Sequence, residues 1–207
     1  PTLREAYRIL EAENFISVTR GSRSGAQVHQ PQVEVAARYA GYILQSQGTT
    51  IADLYASQMA IEPFTVRSLC RMRNNKAAVT ALSEHCEYLV TLIEDERIDA
   101  FTKGVAEFHS LLVKLTGNKT LTLITQLLQD LMANHKADLM RRDPIEKDAR
   151  KKRLNSAIKS YRKLIKLIAD KEEEAAVAHW RLHLKNAHAS WARAGEGERV
   201  VDAINAY

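Results

Sequence analysis

The sequence contains few of the residues that form turns and cross-links. Its 207 residues include only eight glycines, four prolines and two cysteines. This composition favours a mostly α-helical protein over a sheet-rich one, because a sheet with many strands needs many tight turns. Cys70 and Cys86 lie in helical patterns and form no paired motif, which favours buried thiols over a disulfide framework.

Long hydrophobic runs and a strong charge imbalance are also absent. No apolar stretch approaches the roughly 20 residues that cross a bilayer, and no signal-peptide pattern is present. We therefore expect a cytoplasmic protein with no membrane partner. The net charge of +5 is compatible with nucleic-acid binding but is too small to indicate it. Motifs for phosphate-binding loops, nucleophile elbows and zinc proteases are missing, so we expect no enzymatic activity.

The N-terminal stretch PTLREAYRILEAENFISVTRGSRSGAQV predicts a helix followed by a small basic hairpin. The apolar residues of the helix have the i, i+3, i+4, i+7 spacing of a face packed on a core; they are Leu3, Ala6, Tyr7 and Leu10. FISVT and AQVH predict two short strands, and GSRSG supplies glycines for the turn between them. A helix followed by a hairpin is the order of a winged helix-turn-helix from its recognition helix onward. We expect the two earlier helices of that motif before Pro1.

The remainder of the chain predicts an all-α domain. From about residue 33 onward the apolar residues follow helical periodicity in six or seven amphipathic segments, with no credible strand after the hairpin. Pro63 lies inside one of these segments and is expected to kink its helix or split it in two.

Several stretches carry a resemblance to a known family. The N-terminal stretch resembles the end of the DNA-binding domain in the GntR superfamily of bacterial transcription regulators. The usual sequence motif of that region is P-x-x-R-E-A-L-x-x-L-x-x-E-G-L followed by a glycine-containing wing. Three later stretches resemble, in the same order, sequence motifs of the FadR-type effector domain, called FCD; they are IADLYASQMAIEP, FHSLLVKLTGN and AAVAHWRLHL. Asn14 replaces the usual glycine, a mild departure because asparagine tolerates positive φ. The resemblance implies a partial winged helix-turn-helix over residues 1–31 and an all-helical effector-binding and dimerisation domain over 32–207.

The resemblance also implies a double-stranded DNA operator as partner. A recognition helix presents its N-terminal residues to base edges in the major groove, and the wing reaches the neighbouring backbone or minor groove. Arg4 is suited to a bidentate contact with guanine, and Arg8 to a phosphate contact. The expected DNA-binding residues are Thr2, Arg4, Arg8, Arg20, Gly21, Arg23 and Gly25.

Many FCD domains hold a divalent metal such as zinc, nickel or manganese. Their ligands are an Asp and a His one helical turn apart and two later histidines, and these positions correspond here to Val105, His109, Tyr161 and His183. Val105 has no donor atom and a neutral Tyr161 is a poor ligand, so both disfavour a metal. His109 and His183 remain as the metal candidates, and they would need help from Glu107 or His179. We expect no cofactor.

The same replacements suggest a different effector. Val105 and Tyr161 facing the two histidines predict a cavity with an apolar wall and a few hydrogen-bonding groups. Family members without a metal include sensors of fatty acyl thioesters, so the resemblance favours an apolar or amphiphilic effector. Gln58 stands where the family commonly has an arginine that anchors a carboxylate. The predicted effector pocket contains Gln58, Val105, His109, Tyr161 and His183; alternatively, these side chains simply fill a helical core.

Two interpretations remain open. In the first, the chain is a ligand-responsive transcription regulator that forms a homodimer over a palindromic operator, and a small-molecule effector favours one domain arrangement. In the second, it is a metal-containing helical sensor of a small carboxylic acid, or a helical small-molecule-binding protein or enzyme that does not bind DNA.

Overall fold

The computed structural model of the protein describes residues 2–19, 25–30, 33–142, 146–191 and 193–203. These residues form eight α-helices, one two-stranded antiparallel sheet and a short 3-10 helix over Arg193–Glu198. In chain order the elements are α1 (Thr2–Ala12), β1 (Ile16–Val18), β2 (Ala26–Val28), α2 (Val33–Ser46), α3 (Ile51–Arg71), α4 (Lys76–Glu94), α5 (Ile98–Lys114), α6 (Lys119–Arg142), α7 (Lys147–Ala169) and α8 (Glu173–Trp191). The predicted fold class, a helix and hairpin followed by an all-α bundle, is confirmed.

The N-terminal part consists of α1 and the hairpin. Asn14 ends the α1 segment with φ of 58°, the conformation for which asparagine can replace glycine. β1 then returns along the helix, and the backbone amide of Val18 donates to Oε1 of Glu11 at 2.8 Å. β1 and β2 pair in antiparallel register, with Ile16 opposite Val28. The turn that joins the two strands lies outside the described residues.

Within the described residues the apolar face of α1 is not packed on a core, and the two helices expected before Pro1 are the elements that would cover it. No residue of α1 is buried, and Leu3 is 66% exposed. Tyr7 and Leu10 on the same face are also exposed. Among the described elements the three-residue strand β1 is the main one that packs on α1, and it is too short to cover an eleven-residue helix.

Five of the helices after the hairpin share a large hydrophobic core. They are α3, α4, α5, α7 and α8. A reciprocal capping box begins α3: the Asp53 amide donates to Oγ1 of Thr50, and the Thr50 amide donates to the Asp53 carboxylate. α3 then runs without a break through Pro63 to Arg71, so the proline does not split it. Pro63 is buried, and packing of α3 against α5, α6, α7 and α8 offsets the missing backbone hydrogen bond. Cys70 and Cys86 are buried free thiols.

The C-terminal segment, residues 199–203, ties α2 to the bundle. The Ile51 amide donates to the carbonyl of Arg199, and the Val201 amide donates to the carbonyl of Thr49, both at 2.9 Å. Val201 and Ala203 complete a second apolar cluster with side chains of α3 and α6. The segment therefore fixes the helix that directly follows the hairpin.

Gly41 of α2 permits a close approach to this segment. A Cβ atom at residue 41 would lie 2.7 Å from Cβ of Ala203 and 3.1 Å from Cδ2 of Leu131. The Ala203 methyl is rigidly attached to the backbone, so it has no rotamer by which to move away. No helix in the described part of the chain is both long and apolar enough to cross a membrane.

We predict that Gly41→Ala and Ala203→Gly are energetically coupled. The new methyl at residue 41 should overpack the contact and cost about 1 to 3 kcal/mol, partly offset by a gain in helix propensity of up to about 1 kcal/mol. Removal of the opposing methyl should relieve the overlap, which gives a coupling energy of at least about 0.5 kcal/mol in a double-mutant cycle of urea unfolding. Strictly additive effects would show that the two atoms do not meet.

Candidate effector site

A buried carboxylate lies where α3, α5, α6 and α8 meet. Glu62 of α3 is only 1% exposed. It accepts hydrogen bonds from Nε2 of Gln58 at 2.7 Å, Nε1 of Trp180 at 2.8 Å and Nε2 of Gln129 at 3.2 Å. Nδ1 of His109 lies 2.9 Å from each carboxylate oxygen. We call Glu62 and these four side chains the Glu62 cluster.

The bonding in the Glu62 cluster assigns a proton to Nδ1 of His109. An ionised carboxylate can only accept hydrogen bonds, so the imidazole nitrogen that faces it must donate. Nε2 is then the ring nitrogen that is left for other partners. A buried charge is tolerated only when it is well hydrogen-bonded, and Glu62 meets that condition with donors from four helices.

Aromatic and imidazole rings continue from this cluster toward α7. The rings of Trp180 and His183 are stacked with centroids 4.5 Å apart and an interplanar angle of 11°. The rings of Phe108 and Tyr161 are stacked at 4.2 Å. Tyr161 lies 5.2 Å from His183 and 6.1 Å from His109, measured between centroids. Side chains from α5, α7 and α8 therefore form one layer of rings.

A cavity of about 350 Å³ lies beside this layer, between α5, α6, α7 and α8. Its apolar lining residues include Phe101, Val105, Leu154, Ala157 and Leu182. Its polar lining residues include His109, Lys136, Arg153, Tyr161, His179 and His183. An apolar wall with a few convergent polar groups is the usual composition of a small-molecule site.

The structure brings four of the five predicted pocket residues to this cavity, namely Val105, His109, Tyr161 and His183. Gln58 does not line the cavity. Its side-chain amide belongs to the Glu62 cluster: Nε2 of Gln58 donates to Glu62. Oε1 of Gln58 lies 3.2 Å from Nε2 of His188.

Burial determines the protonation of the groups around the cavity. Desolvation, and to a smaller extent the charge of the neighbouring His109, lower the pKa of His183 to about 3. Desolvation also lowers the pKa of His188 to about 4 and raises the pKa of Tyr161. The pKa of Lys136 is lowered to about 8, again by desolvation, while the Glu62 charge acts in the opposite direction. At neutral pH, His183 and Tyr161 are therefore uncharged and Lys136 is an ammonium.

Sequence reasoning missed both Glu62 as an organising residue and Lys136 as a cavity residue. A signal for the first is visible in α3, where Leu54, Gln58, Glu62 and Val66 follow one another at four-residue steps. This spacing places two polar residues on the buried face of the helix. No comparable signal marks Lys136, because α6 carries many polar residues around its whole circumference.

Comparison with known proteins assigns the family. The model of the FCD domain matches residues 53–186, more than half of the chain. This range contains the Glu62 cluster and every cavity-lining residue except Ala187. The chain belongs to the FCD domain family. The sequence-based recognition of an FCD-type effector domain is confirmed.

Solved structures with the same fold include GntR regulators. A GntR protein from Streptococcus agalactiae superposes with a TM-score of 0.63 and 18% identity, over 91% of this chain and 80% of that one. A putative transcriptional regulator GntR from Rhodococcus sp. RHA1 has a TM-score of 0.52 and 17% identity, over 93% of this chain and 80% of that one. At these identities the similarity concerns the fold. No curated protein matches the chain.

The donor atoms of this FCD domain do not fit the metal that the resemblance implies. Val105 offers only carbon, and Tyr161 holds its proton because burial raises the pKa of the phenol. His109 offers at most one ligand atom, Nε2, because Nδ1 is engaged by Glu62. Glu107 is exposed, and Nε2 of His179 lies 2.9 Å from the carbonyl oxygen of Ser160. Within the described residues no group of three or more His, Cys, Asp or Glu side chains is placed to hold a metal ion.

The predicted DNA-binding residues of α1 are solvent-exposed. They are Thr2, Arg4 and Arg8. Arg8 forms an i, i+3 ion pair with Glu5 at 3.5 Å, and such an exposed pair contributes little to stability. Gly25 has φ of 69° and open space around it. The other three predicted residues, Arg20, Gly21 and Arg23, lie outside the described residues.

We predict that Glu62→Gln destabilises the FCD domain by about 1 to 3 kcal/mol. The new amide group would present N–H donors to a site already lined by donors, so at least one buried hydrogen bond would be lost. Glu94→Gln on the exposed surface of α4 is the matched control and should change stability by less than about 0.5 kcal/mol. Urea unfolding followed by tryptophan fluorescence measures both changes. Equal stabilities of the two variants would contradict the organising role of Glu62.

Proposed function

We propose that this chain is a ligand-responsive, DNA-binding transcription regulator whose FCD cavity binds a small amphiphilic organic effector. The observation that carries the proposal is the 350 Å³ cavity of the FCD domain, which is lined by both apolar and polar side chains. Its size and composition suit an organic ligand with both kinds of surface. The regulator acts in the cytoplasm as a homodimer, and its effector requires no metal cofactor.

Double-stranded operator DNA is the partner of the N-terminal part. The exposed basic side chains of α1 are free of the bundle, and a helix of this kind fits the major groove. Arg4 lies in the first turn, where recognition helices contact base edges. Gly25, with its open surroundings, allows the hairpin backbone to approach the phosphates.

The contacts around α6 provide a physical link between effector and DNA. α6 lines the cavity through Lys136, and the same helix packs against both α5 and α2. Leu131 of α6 also belongs to the apolar cluster that holds the C-terminal segment on α2. In this proposal α6 has two positions, and the effector binds the protein with unequal affinity in the two. Effector binding would therefore change the placement of α2 and of the hairpin before it. The change in DNA affinity cannot exceed that difference in effector affinity.

We predict that Arg4→Ala in the full-length protein weakens specific DNA binding by about 1 to 3 kcal/mol, because a base contact in the major groove is lost. The measurement is fluorescence anisotropy on duplexes selected in vitro by the wild-type protein. Arg181→Ala, an exposed arginine of α8, is the matched control and should leave binding unchanged. If Arg4→Ala binds the selected duplexes as tightly as the control does, α1 is not the recognition helix.

A further inference from the structure

Helix α7 carries a large share of the positive charge of the protein. Its sequence KDARKKRLNSAIKSYRKLIKLIA contains nine lysines and arginines but a single carboxylate, that of Asp148. The net charge of the helix is therefore +8, whereas that of the whole chain is +5. The remainder of the chain is thus slightly acidic, and the basic character of the protein comes from this one helix.

Four exposed lysines follow one another along the outer side of α7. The inner side packs in the hydrophobic core through buried residues such as Tyr161 and Leu164. Helical spacing places the four lysines on the side away from Tyr161, over about 21 Å at 1.5 Å per residue. We call them the basic face of α7; they are Lys152, Lys159, Lys163 and Lys166.

Few carboxylates offset the charge of this face. Lys166 forms an i, i+4 ion pair with Asp170. Beside the face, Arg162 forms an ion pair with Glu87 of α4 at 3.0 Å. Among the described residues no carboxylate lies at ion-pair distance from the other three lysines of the basic face.

The arrangement of these lysines costs stability in the free protein. Lys159 and Lys163 lie one helical turn apart, and like charges at that spacing destabilise a helix. Exposed helix faces that are merely solvated commonly alternate charges of opposite sign. A bound polyanion would remove the repulsion, so the basic face suits such a partner.

The composition of the outer side indicates which polyanion fits. Its exposed residues from Lys151 to Lys166 are only lysine, arginine, asparagine and serine. Single-stranded nucleic acids are bound with stacked aromatic rings, membrane-surface helices insert apolar side chains, and protein interfaces use aromatic anchors. Duplex DNA needs none of these, because its phosphates present about one charge per 1.7 Å of helix axis to a row of lysines.

The basic face is separate from the N-terminal part of the chain. α2, which follows the hairpin, packs mainly on α6, whereas α7 packs mainly on α4, α8 and α3. A duplex on α7 therefore occupies a different side of the bundle from one held by α1.

We propose that the basic face of α7 is a second DNA-binding surface, which binds the phosphate backbone of a duplex regardless of its base sequence. This contact does not require α1. With α1 on operator DNA, as proposed above, one protein holds two DNA segments.

The test measures binding of a short random-sequence duplex by fluorescence anisotropy over a range of salt concentrations. The full-length protein carries Arg4→Ala and Arg8→Ala, so that α1 contributes little. In this background the triple change Lys152→Gln, Lys159→Gln and Lys163→Gln should lower the affinity at least about tenfold and flatten the slope of log K against log salt by about 2 to 3.

Two further triple variants separate charge from structure. Arginine at the same three positions keeps the charge and should keep the affinity. Glutamine at three exposed lysines of α5 and α8 removes the same charge elsewhere and should behave as the background protein; they are Lys103, Lys114 and Lys185. The urea midpoint of the α7 glutamine variant should not fall, because the change relieves repulsion.

Equal duplex affinity in the α7 glutamine variant and the control variant would overturn the proposal, as would a salt slope that the α7 changes leave unaltered. Tighter binding of a single strand of equal length, of phosphatidylglycerol vesicles or of polyglutamate would also overturn it.

The holding of two DNA segments is measured separately, with the wild-type protein. Energy transfer between a donor-labelled duplex selected in vitro by that protein and an acceptor-labelled random duplex should appear, and should vanish in the α7 glutamine variant. Its absence while the anisotropy results stand would contradict the proposed role of α1 and not the DNA contact of α7.

Discussion

The buried carboxylate of Glu62 limits how the helices around the cavity can pack. The donors of its hydrogen bonds come from α3, α5, α6 and α8. All four helices must therefore hold their donors in position at the same time. An ionised group with so little exposure is destabilising when even one partner is missing. This requirement orients His109 and Trp180. The ring of Trp180 stacks on His183, so it also orients this cavity-lining histidine. The orientations of His109, Trp180 and His183 therefore depend on the burial of one charge in the bundle.

The same packing connects the cavity with the DNA-binding part. α6 contributes Gln129 to the Glu62 cluster, Lys136 to the cavity and Leu131 to the apolar cluster under the C-terminal segment. Backbone hydrogen bonds join that segment to Thr49 and to Ile51 at the start of α3, and the Ala203 amide donates to Oε1 of Gln45 in α2. Gly41 lets α2 and the segment approach closely. An effector that contacts α6 thus reaches the helix next to the hairpin through packed side chains. A tightly packed arrangement transmits a small displacement because its interior has few voids to absorb it.

Much of the fold could be predicted from the sequence because helical periodicity is a local property. The seven helices after the hairpin and the two strands follow from short-range patterns of side chains. The positive φ of Asn14 follows from the family resemblance, which has glycine at that position. The packing of α1 could not be predicted in the same way, since periodicity identifies an apolar face but not what covers it. That Pro63 does not split α3 could not be predicted for a related reason: its local cost is offset by tertiary contacts that lie far away in sequence.

The site was only partly predictable. The grouping of Val105, His109, Tyr161 and His183 came from family resemblance, and the structure places all four on one cavity. Glu62 was not expected to organise them because its partners lie 47, 67 and 118 residues away along the chain. Lys136 was missed because a lysine on a polar helix looks like a surface residue until the fold places it in a wall.

The measurement that tests this account most directly is native mass spectrometry of the purified protein without chelator treatment, followed by denaturing analysis of whatever each subunit releases. The account predicts subunits free of transition metal, with an amphiphilic organic molecule as the released species when the cavity is filled. One stoichiometric transition metal per subunit would contradict it, because the side chains around the cavity would then form a metal centre and not a metal-free effector site.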